Sequence, residues 1–454
     1  MKALVGAGLA FALATLATRP ADACNGRPTD PAGYQGYSYG AAEVKSFATA
    51  DVRVHYATSG DHMPFLTSKR ADNVPDSVAF AAEVAQTSLA KFAELGFKKI
   101  PGDGACTSNG GDDKLDIYLV KFAGADGSTA PEDCKGNVCS SFFLVDSTFT
   151  RYPTPEEGFK TVVSHELFHG VQNAYNKSTE RFWAEGTAQW AMKRAFPEVG
   201  DFERQLPAFF NEPQRSLDSP PGGVTAGFLY GSSVWPLFLE LRHGAETVRE
   251  IFELEEGGAK TLEATDSVLG KKGSSLADAF PLFSAWNVAT GKTYTGEGGY
   301  PDAAKYPGIK TKALSDGIEG ITSGLSSFAY VGKLEGKQGV TLDTDATRNA
   351  GLLVPIEGGK LKLGNAQKLP ANAEGNVLVI VAGTTTKKTD AKFTLHVGEP
   401  VTQEADAGAS SGGGSSSGDD GCACANAPRT GDGLSAFVLV VFGALISRSR
   451  SRKR

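Results

Sequence analysis

The chain has 454 residues and a formal net charge of −7, and 41% of its residues are hydrophobic and 21% charged. This composition is typical of a globular protein, and the length allows two or three domains with their own cores. We expect no nucleic-acid partner, because the dense basic run RSRSRKR stands at the C-terminal end and no basic stripe interrupts the rest of the chain.

Residues 1–23 have the pattern of a signal peptide. A lysine and an apolar stretch precede an A-x-A cleavage site, so we predict removal and export. A retained membrane anchor is the alternative, but the apolar run is short and Arg19 interrupts it. A lipobox is a further alternative, since Cys24 follows directly, although Ala21 stands where leucine is usual.

Export favours disulfide bonds among the cysteines of the folded part. Four cysteines allow three connectivities, and the sequence does not choose among them. A bond between Cys134 and Cys139 would close a small loop, and Cys24 can also stay unpaired as the new N-terminus. The four residues are Cys24, Cys106, Cys134 and Cys139.

The region before residue 150 combines strands with one helix. DVRVHYA alternates like a strand, and KLDIYLVKF and SSFFLVDS predict two more, separated by a cysteine-containing loop. After the first strand, Asn73 can cap a helix that Pro75 opens and Gly96 closes.

Helices dominate the next region. Thr154, Pro155 and Glu157 form a capping box before an apolar helix, which we expect to run to about Tyr175. RFWAEGTAQWAMKRAF predicts a second helix. Three later segments predict others: GFLYGSSVWPLFLELRHG, AETVREIFELEEG and SSLADAFPLFSAWNVATG.

Near residue 309 the pattern changes to short alternating runs between Gly, Asp and Asn turns, which predicts a small all-β sandwich over 309–400. The predicted fold class is therefore α+β, with a mixed domain over 24–308 before the sandwich. The Gly- and Ser-rich segment 401–421 predicts a flexible linker.

The segment TVVSHELFHGVQNAY contains the spacing H-E-x-x-H. Residues four apart share a helix face, so His165 and His169 can present ring nitrogens to one Zn²⁺ ion. Glu166 points elsewhere but can reach a water on the metal and take its proton. The alternative is an ordinary amphipathic helix with incidental histidines, which is disfavoured because the chain has only 6 His.

A catalytic zinc needs a third protein ligand. The metzincin continuation is absent, since Gln172 and Tyr175 stand where it would place Gly and His. We expect the ligand to be Glu185 in FWAEGTAQW, where small neighbours allow close helix approach. Glu180 is the rival, but its place before the helix suits a cap or a solvent-facing side chain.

HELFHGVQNAY followed by FWAEGTAQW resembles gluzincin-type zinc metallopeptidases, and the span from VRVHYATSGDHMP to FLYGSSVWPLFLELRHG is similar to exported bacterial metalloproteases of that clan. The resemblance implies a zincin-like domain in which His165, His169 and Glu185 bind Zn²⁺ and Glu166 is the general base and acid. The chain departs from the pattern at Gln189, where thermolysin-like members have an acid. The group that orients a histidine must then be a carboxylate elsewhere or a backbone carbonyl.

Negative charge in the transition state needs a hydrogen-bond donor. Tyr230 in FLYGSS is our candidate, because members of the clan often use a downstream Tyr or His, and core packing is its alternative. His243 is the other candidate, although RHG at a helix end also suits a cap favourable to the dipole. The strand SSFFLVDS either binds an extended peptide at a sheet edge or is an ordinary core strand.

Residues 422–454 combine a cysteine pair, an apolar run over 434–446 and a basic end. They resemble the C-terminal sorting signal of myxobacteria, with Cys422 and Cys424 in the motif position, which implies surface delivery and membrane association through the tail. A plain tail anchor is the alternative, and a metal site at the two cysteines is a remote one.

We therefore expect an exported, surface-directed zinc endopeptidase that acts as a monomer on protein or peptide substrates. A surface binding or adhesion protein on the same scaffold is the alternative, although it has no physical need for Glu166. A zinc hydrolase with a non-protein substrate is a further alternative. The sequence identifies neither the substrate nor the role of the β-sandwich.

Overall fold

The computed structural model describes residues 24, 26–104, 106, 108–122, 124–220, 226–291, 296–387 and 389–402. The predicted signal peptide, the sorting tail and nearly all of the linker lie outside these residues. The first elements are β1 (Val44–Ala48), β2 (Val52–Ala57), α1 (Asp76–Glu94), β3 (Leu115–Val120), β4 (Gly127–Lys135) and β5 (Val138–Asp146).

These strands form a mixed sheet in the order β1-β2-β3-β5-β4. β2, β3 and β5 run parallel, while β1 and β4 pair antiparallel at the two edges. The parallel strands are buried along nearly their whole length because both faces of the sheet are covered. SSFFLVDS belongs to the interior strand β5, so the edge beside it is β4, which the sequence pattern did not predict.

Helices α1 and α2 (Pro155–Asn173) cover one face of this sheet, and α3 (Arg181–Ala195) packs on α2. Thr154 caps α2 by accepting a hydrogen bond from the Glu157 amide, as predicted. The cap predicted for α1 is wrong: the helix begins at Asp76, and Asn73 lies in a turn with a φ of +59°. Gly96, with a φ of +83°, follows the end of α1 as predicted.

The N-terminal segment covers the other face of the sheet. Tyr39 and neighbouring aromatic side chains pack there against β3 and β5. One disulfide bond joins Cys24 to Cys106, and another joins Cys134 to Cys139 across the β4–β5 hairpin. The predicted small loop is thereby confirmed, and Cys24 is paired.

Further helices follow: α4 (Asp201–Phe210), α5 (Ala226–Gly231), α6 (Val234–His243), α7 (Thr247–Glu256), α8 (Thr261–Lys271) and α9 (Leu276–Val288). The three predicted helical segments contain α5 to α7 and α9. α4, which has Pro207 inside it, was not predicted. The pattern also did not predict α8.

The last part of the described chain is all-β. Its strands are β6 (Lys312–Ala313), β7 (Ile318–Ser323), β8 (Ser327–Thr344), β9 (Asn349–Glu357), β10 (Lys360–Leu361), β11 (Gln367–Lys368), β12 (Ala371–Gly383) and β13 (Asp390–Gly398). The main strands form a second sheet in the order β10-β9-β12-β8-β13-β7, with β6 and β11 beside it. One face of β9 and β12 joins the apolar core around α9, and the other face encloses a separate apolar cluster with β13.

The predicted α+β class is therefore confirmed as a mixed sheet with helices followed by a second, all-β sheet. Six of the eight strands of this second sheet follow one hydrogen-bonded path, and β6 and β11 pair with β8 and β9 off that path. Within the described part of the chain, no helix is long and apolar enough to cross a membrane. The apolar run over 434–446 lies outside that part.

Candidate metal centre

Helices α2 and α3 bring the three predicted ligands together. His165 and His169 lie one turn apart on α2, and Glu185 lies near the start of α3. The Nε2 atoms of the two histidines are 3.1 Å apart, and Glu185 Oε2 is 3.2 Å from the first and 3.6 Å from the second. Among the described His, Cys, Asp and Glu residues, these three have ligand atoms close enough together to share one metal ion.

The spacing of the three ligand atoms fits zinc. Zinc binds imidazole nitrogen and carboxylate oxygen at about 2.0–2.2 Å in a tetrahedron, which separates the ligand atoms by about 3.3–3.6 Å. Distances of 3.1, 3.2 and 3.6 Å therefore approximate one face of that tetrahedron. Three protein ligands leave the fourth position for water or substrate, as a catalytic site requires.

The charges of the site favour a cation. Burial disfavours the Glu185 carboxylate, but the hydrogen bonds of His165 and His169 outweigh burial and hold the pKa of Glu185 well below its ordinary value of 4.5. Burial also opposes a charge on His169, yet the hydrogen bond and charge of Glu185 raise the pKa of His169 to about 9. The carboxylate thus stays ionised and attracts either a proton or a metal ion.

Gln172 orients His169. The Gln172 Nε2 atom donates to the Ala184 carbonyl at 2.8 Å and to Thr187 Oγ1 at 2.9 Å, so both of its hydrogens are used. The amide oxygen therefore faces His169 and accepts from Nδ1 at 2.8 Å. A proton on Nδ1 leaves the Nε2 lone pair for a metal, which is the usual role of a group behind a metal-binding histidine.

Gln189 has no such role, although it occupies the position of the acid in thermolysin-like enzymes. Its side chain is buried, and Nε2 donates to Asp201 Oδ2 at 2.6 Å. We expected a carboxylate or a backbone carbonyl to orient the histidine. For His169 the orienting group is instead the side-chain carbonyl of Gln172.

The edge strand β4 positions Glu166. The hydroxyl of Thr129 lies 2.7 Å from Glu166 Oε2, to which it donates, and 2.9 Å from the Glu166 carbonyl. Gly127 allows this close approach, because a Cβ atom there would lie 2.7 Å from both Cγ and Oε1 of Glu166. The carboxylate is therefore held at the wall of the cleft beside the ligand group.

Tyr230 lies beside the three predicted ligands. Its ring packs edge-on against the ring of His165, with the centroids 5.4 Å apart, and it lines the same cleft as the three ligands. Burial and the charges of Glu185 and Glu166 raise its pKa well above the ordinary 10.0, so the phenol stays protonated at neutral pH. Among the described residues its hydroxyl has no hydrogen-bond partner, which leaves the proton available to a substrate.

The two rival residues lie outside the cleft. Glu180 is exposed and directly precedes α3 without a side-chain cap bond, so it is not part of the ligand group. His243 ends α6 and packs on Phe238. Burial and the charges of Arg242 and Lys272 lower its pKa to about 4, so at neutral pH it adds little positive charge to this helix end.

The ligand group opens into a cleft of about 400 Å³. Residues of β4 form one wall, and residues of α2, α3 and the loop between them form the other. The residues that line the cleft include Thr129, Asn173, Asn176, Lys177 and Tyr230.

Sequence patterns did not reveal Thr129, Gly127 or Gln172 as parts of the site. Gln172 follows His169 by three residues, and this helical spacing was a usable signal for a side-chain contact. The contact of Thr129 with Glu166 joins residues 37 apart and has no local signal.

Comparison with known proteins assigns no family. No family model matches the chain, and no curated protein matches it. The function is therefore inferred from the chemistry of the site.

Proposed function

We propose that the chain is a zinc-dependent endopeptidase of the zincin type. The observation that carries this proposal is the ligand group of His165, His169 and Glu185, whose spacing matches a tetrahedral face. Glu166 stands beside the group at an open cleft, where a general base is needed. The two disulfide bonds support an exported protein.

The residues divide the work of peptide hydrolysis. His165, His169 and Glu185 would hold zinc, which would polarise the substrate carbonyl and lower the pKa of a water molecule. Glu166, oriented by Thr129, is placed to accept a proton from a water molecule in the cleft and to return it to the leaving amine. Tyr230 donates a hydrogen bond to the oxyanion that develops on the carbonyl oxygen.

The edge of the mixed sheet supports a peptide as the substrate. In the described part of the chain the strand that pairs with β4 is β5, so the outer edge of β4 over 127–129 offers main-chain donors and acceptors to an added strand. Gly127, Ser128, Thr129 and Pro131 of β4 line the cleft. An extended peptide bound there would pass the ligand group, and a cleft open to solvent suits an internal segment of a substrate chain.

The test is digestion of a denatured protein by the purified full chain and by Glu166→Gln, with zinc measured in both. We expect one zinc in each protein and cleavage by the wild type alone, with the variant slower by about 10²–10⁴-fold. Zinc without cleavage by either protein would favour the binding or adhesion alternative. Hydrolysis of small esters but not of protein would favour a non-protein substrate. Absence of zinc from both would overturn the proposal.

A further inference from the structure

We propose that the cleft binds an acidic side chain of the substrate at Lys177, on the N-terminal side of the scissile bond. The inference rests on the proposed peptidase function and names a substrate class for the same site: extended peptides that carry Asp or Glu on that side.

Lys177 has a fixed place at one end of the cleft. It lies in the loop between α2 and α3, is partly buried, and lines the same cleft as the ligand group. Its backbone amide donates to the carbonyl of Asn137, 2.9 Å away, in the turn of the β4–β5 hairpin. This bond ties Lys177 to the end of the edge strand, where the substrate would pass.

The amine of Lys177 is available for an anion. Within the described residues it forms no ion pair. The amides of this wall are already engaged: Asn173 Nδ2 donates to Ser141 Oγ at 3.0 Å, and Asn176 Nδ2 donates to the Glu255 carbonyl at 3.1 Å. Lys177 is therefore the side chain on this wall that can form an ion pair with a substrate carboxylate.

The other side chains of the cleft wall that can carry a charge have assigned roles. His165, His169, Glu166 and Glu185 belong to the proposed metal centre, and the described lining contains no lysine or arginine besides Lys177. A substrate with a carboxylate at the Lys177 end would add an attraction, and a lysine or arginine there would meet repulsion.

The direction of β4 decides which side of the scissile bond reaches Lys177. β4 begins at Gly127, beside Glu166, and ends at the turn that contains Asn137. A peptide paired antiparallel to β4, the more stable arrangement, runs the opposite way. Its residues N-terminal to the scissile bond therefore lie at Lys177.

Cleavage profiles test the preference directly. A denatured protein mixture is digested with the wild type, Lys177→Met and Lys177→Glu, and the cut sites are identified by mass spectrometry. We expect Asp and Glu to be enriched before the wild-type cut sites, no enrichment with Lys177→Met, and Lys or Arg with Lys177→Glu. Lys310→Met removes an exposed lysine that does not line the cleft, and it should keep the wild-type profile.

Binding separates this inference from the peptidase activity. In Glu166→Gln, a labelled alanine-rich peptide with consecutive glutamates should bind about fivefold more tightly than its glutamine counterpart at low salt. Adding Lys177→Met should make the two affinities equal. If the wild type cleaves nothing, the proposed function fails while the binding measurement still decides the role of Lys177. Equal binding of both peptides to Glu166→Gln, or acidic residues enriched only after the cut, would overturn the inference.

Discussion

Removal of the Gln172 amide should weaken zinc binding although no metal ligand is changed. Gln172→Leu deletes the acceptor for His169 Nδ1 and the two donor bonds that hold this acceptor in place. The imidazole then loses the contact that keeps its Nε2 lone pair directed at the metal.

The expected loss of zinc affinity is about ten- to a hundredfold, the usual effect of removing a group that orients a metal-binding histidine. This range corresponds to about 1.4–2.7 kcal/mol. A typical hydrogen bond contributes about 1 kcal/mol, so the 2.8 Å bond from His169 to Gln172 accounts for most of the lower limit. Rotational freedom gained by the imidazole adds the remainder.

The assay is competition for zinc between the full chain and a chromophoric chelator. Gln189→Leu is the matched control, because Gln189 is also a buried amide on the helix beside the site but donates to Asp201 instead of orienting a histidine. Both variants should lose some stability, and only Gln172→Leu should lose zinc affinity. Wild-type affinity in Gln172→Leu, or equal weakening in both variants, would refute the proposed role of Gln172.

Two further changes test the base and the buried acid beside the cleft. Thr129→Val should lower kcat by about tenfold at unchanged zinc content, because Glu166 loses its orienting hydroxyl. Thr129→Ser keeps the hydroxyl and should restore the rate. Equal rates in the Val and Ser variants would argue against an orienting role of Thr129. Burial raises the pKa of Glu255 from its ordinary 4.5 to about 7, so the folded chain keeps a proton that the unfolded chain releases. Stability should therefore fall as the pH rises from 4.5 to 7, by up to about 3 kcal/mol. Glu255→Gln should remove that part of the pH dependence in urea unfolding, and an unchanged dependence would contradict it.

The grouping of His165, His169 and Glu185 could be predicted because its signal is local. His165 and His169 share one helix face, and Glu185 follows within the next helix, so helical periodicity and the needs of zinc chemistry place all three. The capping box at Thr154 fixed the start of α2 for the same reason.

The wall opposite the ligands could not be predicted, because long-range pairing creates it. β4 has a polar sequence with Pro131 inside it, which hides the alternation of a strand, and proline is tolerated there because β4 is an edge. The contacts of Gly127 and Thr129 with Glu166 depend on that edge. The position of Lys177 likewise depends on the bond to Asn137 in the hairpin turn.

Zinc-edge X-ray absorption of the zinc-loaded Glu166→Gln protein tests the metal centre most directly. The proposal predicts one zinc per chain with two imidazole nitrogens and one carboxylate oxygen at about 2.0–2.2 Å. Glu185→Ala should lose the carboxylate scattering and bind zinc more weakly. Zinc bound through sulfur, or a spectrum that Glu185→Ala leaves unchanged, would contradict the assignment of His165, His169 and Glu185 as the ligands.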